Sequence, residues 1–358
     1  MQNAMSLHCT FEPLSAPDAL AERWKALEKK SRSSFFLSWN WVGTWLNRLA
    51  RRPLVFSATR DGETVALGLF FETGPSRFLL HQSGDMAEDS IYIEFNGLLC
   101  DDTVTDLEAD CWTWLTCQHP SRPLLRRPTF DLNRLSEDSF HQIEASGGSS
   151  GKPTVEAAPY ANLSWIADQH GDFASALSRN SRHKLRRSIT LYESQEGDLT
   201  LSRPETADDA QRYLDRLIEL HQETWRARGK PGAFAPDFFE AFHRQMISNS
   251  FDQGVIDLIE IRSEEAPLGY LYNFLHLGAA LSYQSGFRYD EDNRLKPGLV
   301  CHALTAQDYL DRGLDRYSFL AGDSRYKRSL ATGADKLYSL RLKGDNQLTR
   351  LVGATRHR

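Results

Sequence analysis

Apolar positions recur every three to four residues between Pro17 and Lys29. Leu20, Trp24 and Leu27 share a face there, which predicts an amphipathic helix. The run FFLSWNWVGTWL at 35–46 carries Phe36, Trp39, Trp41, Trp45 and Leu46 and reads as a buried helix start capped by Ser38. Two β-rich runs flank Asp61-Gly62 in PLVFSATRDGETVALGLFFE, predicting a hairpin over 53–72. SRFLLHQSG and IYIEFNGLLC predict further strands, DLEADCWTWLTCQ a helix, and PTFDLNRL at 128–135 a later strand. The stretch SGGSSGKP at 146–153 cannot build a core and breaks the pattern. It divides an expected first domain, 1–147, from a second, 158–358, with 148–157 as linker.

The second half opens with a short strand, PYANLSWI, and a long basic helix from about Gly171 to Glu193. A helix is expected over 203–229, where Tyr213, Leu214, Leu217, Leu220 and Trp225 follow helical spacing, and another over 236–247. Three strands come next: GVIDLIEIR, APLGYLYNFLHLG and ALSYQSGFR. A helix over 295–313, the strand DRYSFLAG, the short helix SRYKRSLA and the strand KLYSLRLK complete the order. Two α/β halves of similar size point to a duplicated fold.

Composition narrows the classes. With 358 residues and 41% hydrophobic, two cores can form and global disorder is excluded. The net charge of −6 weighs against broad nucleic-acid binding. Five cysteines (9, 100, 111, 117 and 301) show no CxxC pair, so reduced thiols and no metal site are expected. The amino terminus lacks a basic segment followed by an apolar run, and no stretch approaches 18 apolar residues. The expectation is a cytoplasmic protein without membrane insertion.

Candidate chemistry concentrates in 280–330. The strand ALSYQSGF leads through RYDEDNRLK into a helix opening at Pro297-Gly298. Free amides at such a helix start suit an anion such as a pyrophosphate; Pro297 fits the first helical position and Gly298 permits close approach. Arg294 and Lys296 add positive charge, although an ordinary helix start reads the same way. Gly286, inside the third strand, marks a bend or a close backbone approach where amides could meet a thioester carbonyl. Asp323, at a strand end, reads as a proton acceptor for an amine or as a helix cap. Tyr326 reads as a proton donor to a departing thiolate or as a packing residue. The run SRNSRHKLRRS at 178–188 places Arg179, Arg182 and Arg186 on one face, with His183, Lys184 and Arg187 nearby. It suits a phosphate-rich ligand or forms a solvated helix face. In TWRARGKPGAF at 224–234, Trp225, Arg226, Arg228 and Lys230 suit an acceptor pocket or mark a helix end at Gly229. Tyr283 is a further substrate-binding candidate.

Residues 158–343 resemble the BioF-type acyltransferase domain of the GNAT superfamily, the group containing the CelD proteins named after cellulose biosynthesis. The resemblance rests on LSRNSRHKLRRS, ETWRARG, YQSGFRYDEDNRLKPG and above all YSFLAGDSRYKRSLA; FFLSWNWVGTWL and GDMAEDSIYIEFNGLL extend it to the first half. It implies an α/β fold of two GNAT-like units in a FemABX-like arrangement, each with a mixed, mostly antiparallel central sheet flanked by helices. It also implies acetyl-CoA or another acyl-CoA as donor, attacked directly by a small amine or amino sugar. On this sequence the pyrophosphate site falls at Lys296, Pro297 and Gly298, and the catalytic region at Asp323, Tyr326 and Lys327. The usual signature Gln/Arg-x-x-Gly-x-Gly/Ala is absent, with DNRLKPG in its place. Two alternatives stand beside this. One is a FemABX-like transferase using aminoacyl-tRNA, favoured by the basic helix and opposed by the net charge. The other is a non-catalytic accessory protein of polysaccharide synthesis.

Overall fold

The computed structural model describes residues 7–117, 127–322 and 324–344. Two compact units divide the chain: unit 1 runs to Glu156 and resumes at Lys336, and unit 2 is Ala157–Asp335.

Unit 1 contains β1 (His8–Pro13), α1 (Pro17–Glu28), α2 (Trp39–Leu46), β2 (Leu54–Arg60), β3 (Glu63–Gly74), β4 (Arg77–Leu80), β5 (Leu99–Cys100), α3 (Leu107–Cys117), β6 (Thr129–Leu135), α4 (Glu137–Ala145) and β7 (Ser149–Ser150). The strand β8 (Thr154–Asn162) starts in unit 1 and ends in unit 2. Unit 2 continues with α5 (Leu163–His170), α6 (Phe173–Ala176), α7 (Arg179–Glu196), β9 (Thr200–Ser202), α8 (Ala207–Ala227) and α9 (Asp237–Ser250). Then come β10 (Ile256–Arg262), β11 (Pro267–His276), β12 (Ala279–Phe287), α10 (Pro297–Asp311), β13 (Arg316–Ser318) and α11 (Arg325–Leu330). The last strand, β14 (Gly333–Lys343), leaves unit 2 and ends in unit 1.

The strand order in unit 1 is β1-β2-β3-β4-β6-β14, antiparallel except for β4 beside β6. The predicted hairpin is β2–β3, turning at Asp61 and Gly62, both with positive φ. Its core gathers Phe70, Phe78, Trp112 and Phe130, whose rings lie 5.5–6.1 Å apart. Each is buried, contributing about 1.5–3 kcal/mol through removal from water. Unit 2 repeats the arrangement as β9-β10-β11-β12-β13-β8, with only β12 and β13 parallel. Helix α8 packs on β10, β11 and β12, whereas α10 packs on β11 and β12 and against α5, α6 and α7. Each unit is thus a mixed, mostly antiparallel sheet flanked by helices.

Three local expectations are corrected. IYIEFN is not a strand: Glu88–Ile91 is a 3-10 turn, and positive φ at Tyr92 and Phe95 breaks the extended conformation before β5. The long basic helix is two helices, because Ser178 accepts from the Ser181 amide and starts α7 afresh. LSWI ends no strand, because Asn162 accepts from the Trp165 amide and opens α5. None of the five cysteines forms a disulfide. Among the described residues, no helix is long and apolar enough to cross a membrane.

Candidate active site

The parallel pair in each sheet ends early, and the space beyond it is filled differently in the two units. In unit 1, β4 and β6 pair over Arg77–Leu79 and Thr129–Asp131. Beyond that point the side-chain amide of Asn96 donates to the carbonyls of Leu80 (3.3 Å) and Asn133 (3.2 Å). Its oxygen accepts from the Gly97 amide at 2.9 Å and meets Nδ1 of buried His81 at 2.8 Å. Asn96 is itself buried, so it plugs the gap between β4 and β6. In unit 2, β12 and β13 pair only over Ala279–Leu281 and Arg316–Ser318. From Ser282 to Phe287, β12 keeps β11 as partner and, among the described residues, has no strand on its other side. A register shift places an extra residue, Tyr283, in this stretch, since Tyr272 faces Gln284 while Asn273 faces Ser282.

Gly286 lies in the same stretch, but its small size answers to a helix. A Cβ there would sit 2.3 Å from the Leu217 carbonyl oxygen of α8 and 3.1 Å from the His221 amide nitrogen. Nearby, His221 Nδ1 meets the Ser285 carbonyl at 2.9 Å, and its Nε2 accepts from the Ala233 amide at 3.2 Å. These two partners fix a neutral ring with its proton on Nδ1; burial also lowers its pKa.

Helix α10 begins at the far end of the loop after β12. Pro297 is buried at its first position, and Lys296 at the cap makes no side-chain capping bond among the described residues. The amides of the first turn, at Gly298 and Leu299, therefore lack a side-chain cap from that residue. The Lys296 amide donates to Oγ of buried Ser188 on α7 at 2.8 Å, pinning this turn to the basic helix. Gly298 faces the Phe287 ring, 3.2 Å from where its Cβ would be. Arg294 differs from expectation: its guanidinium pairs with Asp292 at 2.6 Å, and that pair holds Asp292 down to about 2. Arg288 likewise pairs with Glu196 at 2.5 Å. On α7, Arg182 reaches back to the Leu177 carbonyl at 3.2 Å and Arg186 acts on Asp172. Arg187 of α7, next to Ser188, adds a smaller favourable charge at Asp292.

Asp323 lies outside the described residues. Around it, β13 exits through Leu320 and Gly322, both with positive φ, into α11. Lys327 Nζ donates to the carbonyls of Ala321 (2.7 Å) and Leu320 (3.3 Å) and so ties this exit loop down. Tyr326 stacks on His302 of α10, centroids 5.4 Å apart and planes 17° apart. Tyr326 is 39% exposed overall, while partial desolvation and the nearby Tyr289 push its pKa upward. His302 is fully buried; Nδ1 meets the Tyr317 hydroxyl at 2.9 Å, and Tyr317 is also bonded to Ser282. Its Nε2 has no hydrogen-bond partner among the described residues. Burial and Lys327 hold His302 down to about 3. Sequence reasoning missed this Ser282–Tyr317–His302 chain, which starts where β12 loses β13. A histidine within an apolar helix face gives no signal of it.

On the α8 side, Arg228 lies over both the Trp225 and Tyr289 rings, each 5.7 Å away. Tyr283 packs with Phe239, His243 and Phe274 at 4.9–6.1 Å, as one member of an aromatic cluster. Among the described residues, no group of three or more His, Cys, Asp or Glu side chains could hold a metal.

Residues 179–328 match the family described as acetyltransferase (GNAT) domain. No curated protein matches the chain. Several solved structures share its fold. FemX has a TM-score of 0.57 at 10% identity, covering 89% of this chain and 95% of its own. The C-terminal domain of a putative lysylphosphatidylglycerol synthetase from Agrobacterium fabrum has 0.54 at 12%, covering 95% of each chain. The L-PGS structure from Bacillus licheniformis has 0.53 at 11%, covering 94% and 96%. The acetyltransferase (GNAT) domain match falls wholly within unit 2, and unit 1 repeats the same order of one parallel and otherwise antiparallel strand pairs.

Proposed function

We propose that unit 2 transfers an acyl group from an acyl-CoA thioester to an amine, at the opening between β12 and β13. The observation that carries this is the loss of β13 as partner after Leu281, beside a helix whose cap residue, Lys296, makes no side-chain capping bond among the described residues. Backbone N–H groups at Gly298 and Leu299, with Lys296 and Arg187 nearby, suit the pyrophosphate of the donor. The β12 stretch after Leu281 offers N–H groups to the thioester oxygen, where negative charge develops during attack. The amine nitrogen bonds to the thioester carbon as the carbon–sulfur bond breaks. Tyr326 is protonated at every ordinary pH and gives its proton to the leaving sulfur. The proton lost by the amine goes to Asp323, whose loop Lys327 tethers. Within GNAT-type proteins we place the chain with the CelD group on YSFLAGDSRYKRSLA, and its acceptor in exopolysaccharide or cell-envelope synthesis.

Thermal-shift measurements with CoA, acetyl-CoA and longer acyl-CoAs test the donor. Stabilisation that grows with ligand concentration is expected, and its absence across the series in folded protein overturns the reading. Tyr326→Phe is expected to lower kcat by about 10²–10⁴ with little change in melting temperature.

The exposed cations of α7, including Arg179, Arg186 and Arg187, favour a second reading in which an aminoacyl-tRNA is the donor. A gel shift with charged tRNA at low salt separates the two. A protein that binds neither donor leaves the accessory role in polysaccharide synthesis.

A further inference from the structure

The end of α8 and the loop to α9 carry Arg226, Arg228 and Lys230, none of which is paired with an acid among the described residues. Asp290 and Glu291 follow Tyr289 directly, yet neither pairs with Arg228. Arg228 is nevertheless held in place. Trp225 on α8 and Tyr289 on the loop after β12 each stand 5.7 Å from its guanidinium carbon. Lys230 Nζ lies 5.6 Å from the same Trp225 ring.

The backbone beneath is clamped at several points. The Arg228 and Lys230 amides both donate to the Trp225 carbonyl, at 3.1 and 2.9 Å. Gln222 donates to the Pro231 carbonyl at 3.0 Å, and buried His221 accepts from Ala233 at 3.2 Å. A guanidinium flanked by aromatic rings keeps the N–H groups on its edge available, in a fork that matches a carboxylate or phosphate. The Tyr289 ring meets Phe287 at 6.3 Å, and Phe287 lies 5.8 Å from His302, on which Tyr326 stacks, so ring contacts connect this fork to the proposed proton donor.

We infer that Arg228, framed by Trp225 and Tyr289, receives an anionic group of the acceptor. The acceptor is then an amine that also carries a carboxylate or a phosphate, as in an amino acid or an amino-sugar phosphate. This rests on the proposed acyl-transfer site, because it takes the bound amine as the acceptor.

Equilibrium binding tests it without requiring turnover. The probes are amino acids against their amides, and glucosamine 6-phosphate against glucosamine. They are titrated into the full chain with and without acetyl-CoA. Wild type is expected to bind the anionic member of at least one pair about tenfold more tightly than the neutral one. Arg228→Gln is expected to erase that preference while keeping the thermal shift by acetyl-CoA. Arg228→Lys keeps the charge without the fork and is expected to restore only part. The two pairs separate carboxylate from phosphate. Equal binding of anionic and neutral members by wild type overturns the inference. So does an unchanged preference in Arg228→Gln. Loss of the acetyl-CoA shift in Arg228→Gln makes Arg228 a donor contact instead, and also overturns it. Absence of any acetyl-CoA shift in wild type strikes the proposed function alone, while the probe titrations still decide whether Arg228 holds an anion.

Discussion

Gly286 and Gly298 both border the unit 2 opening, but a methyl group meets different obstacles at each. At Gly286 it would press on the α8 backbone, which cannot yield without moving a helix. Gly286→Ala is therefore expected to cost about 1–3 kcal/mol in denaturant unfolding. At Gly298 the neighbour is a phenylalanine ring at 3.2 Å, and alanine gains about 1 kcal/mol of helix preference. Gly298→Ala should stay near wild-type stability. A stable Gly286→Ala that loses only donor binding would return that glycine to the ligand. The sequence marked Gly286 as a bend or a close backbone approach, and the second of these is what the α8 backbone supplies. The identity of the approaching chain was not legible, because Leu217 lies on a helix far away in sequence. His302 and Ser282 were illegible for the same reason: their link runs through Tyr317, and only the folded sheet brings the three together.

Among the elements, those with both periodicity and punctuation were readable. The β2–β3 hairpin had Asp-Gly between two β-rich runs, and α8 had an apolar stripe at helical spacing. Failures came where a side chain overruled the pattern. Ser178 restarts a helix inside a continuous basic run, and Tyr92 and Phe95 adopt positive φ within a run of β-formers. The α10 start depends on such a contact too, because the Lys296 amide is held by Ser188 alone among the described residues. Ser188→Ala leaves that amide without its partner and is expected to cost about 1–3 kcal/mol. Hydrogen exchange should then quicken at 296–300, and donor affinity should fall. Unchanged exchange there would mean that α7 does not anchor the turn.

Across the whole molecule, three deeply buried histidines link stability to acid. Burial holds His81 at about 4 and both His243 and His302 at about 3, against 6.5 when exposed. Their folded values are depressed, so the folded chain takes up fewer protons than the unfolded one as pH falls below 6.5. Stability is full above that value and is lost from there toward pH 3–4. At pH 5 each group costs on the order of 2 kcal/mol. Glu108, raised by burial, acts in the opposite sense. Urea midpoints at pH 7.5, 6 and 5 should decline, with the steeper loss in unit 2, which holds two of the three. His302→Asn should flatten that decline.

On the proposed function, the Asn96 plug also bears on stoichiometry. Of the two related sheets, one has a carboxamide spanning the gap that the proposed donor would occupy in the other. Calorimetric titration with a tight acyl-CoA should therefore saturate at one equivalent per polypeptide. A second equivalent should emerge, if anywhere, only after Asn96→Gly clears the way.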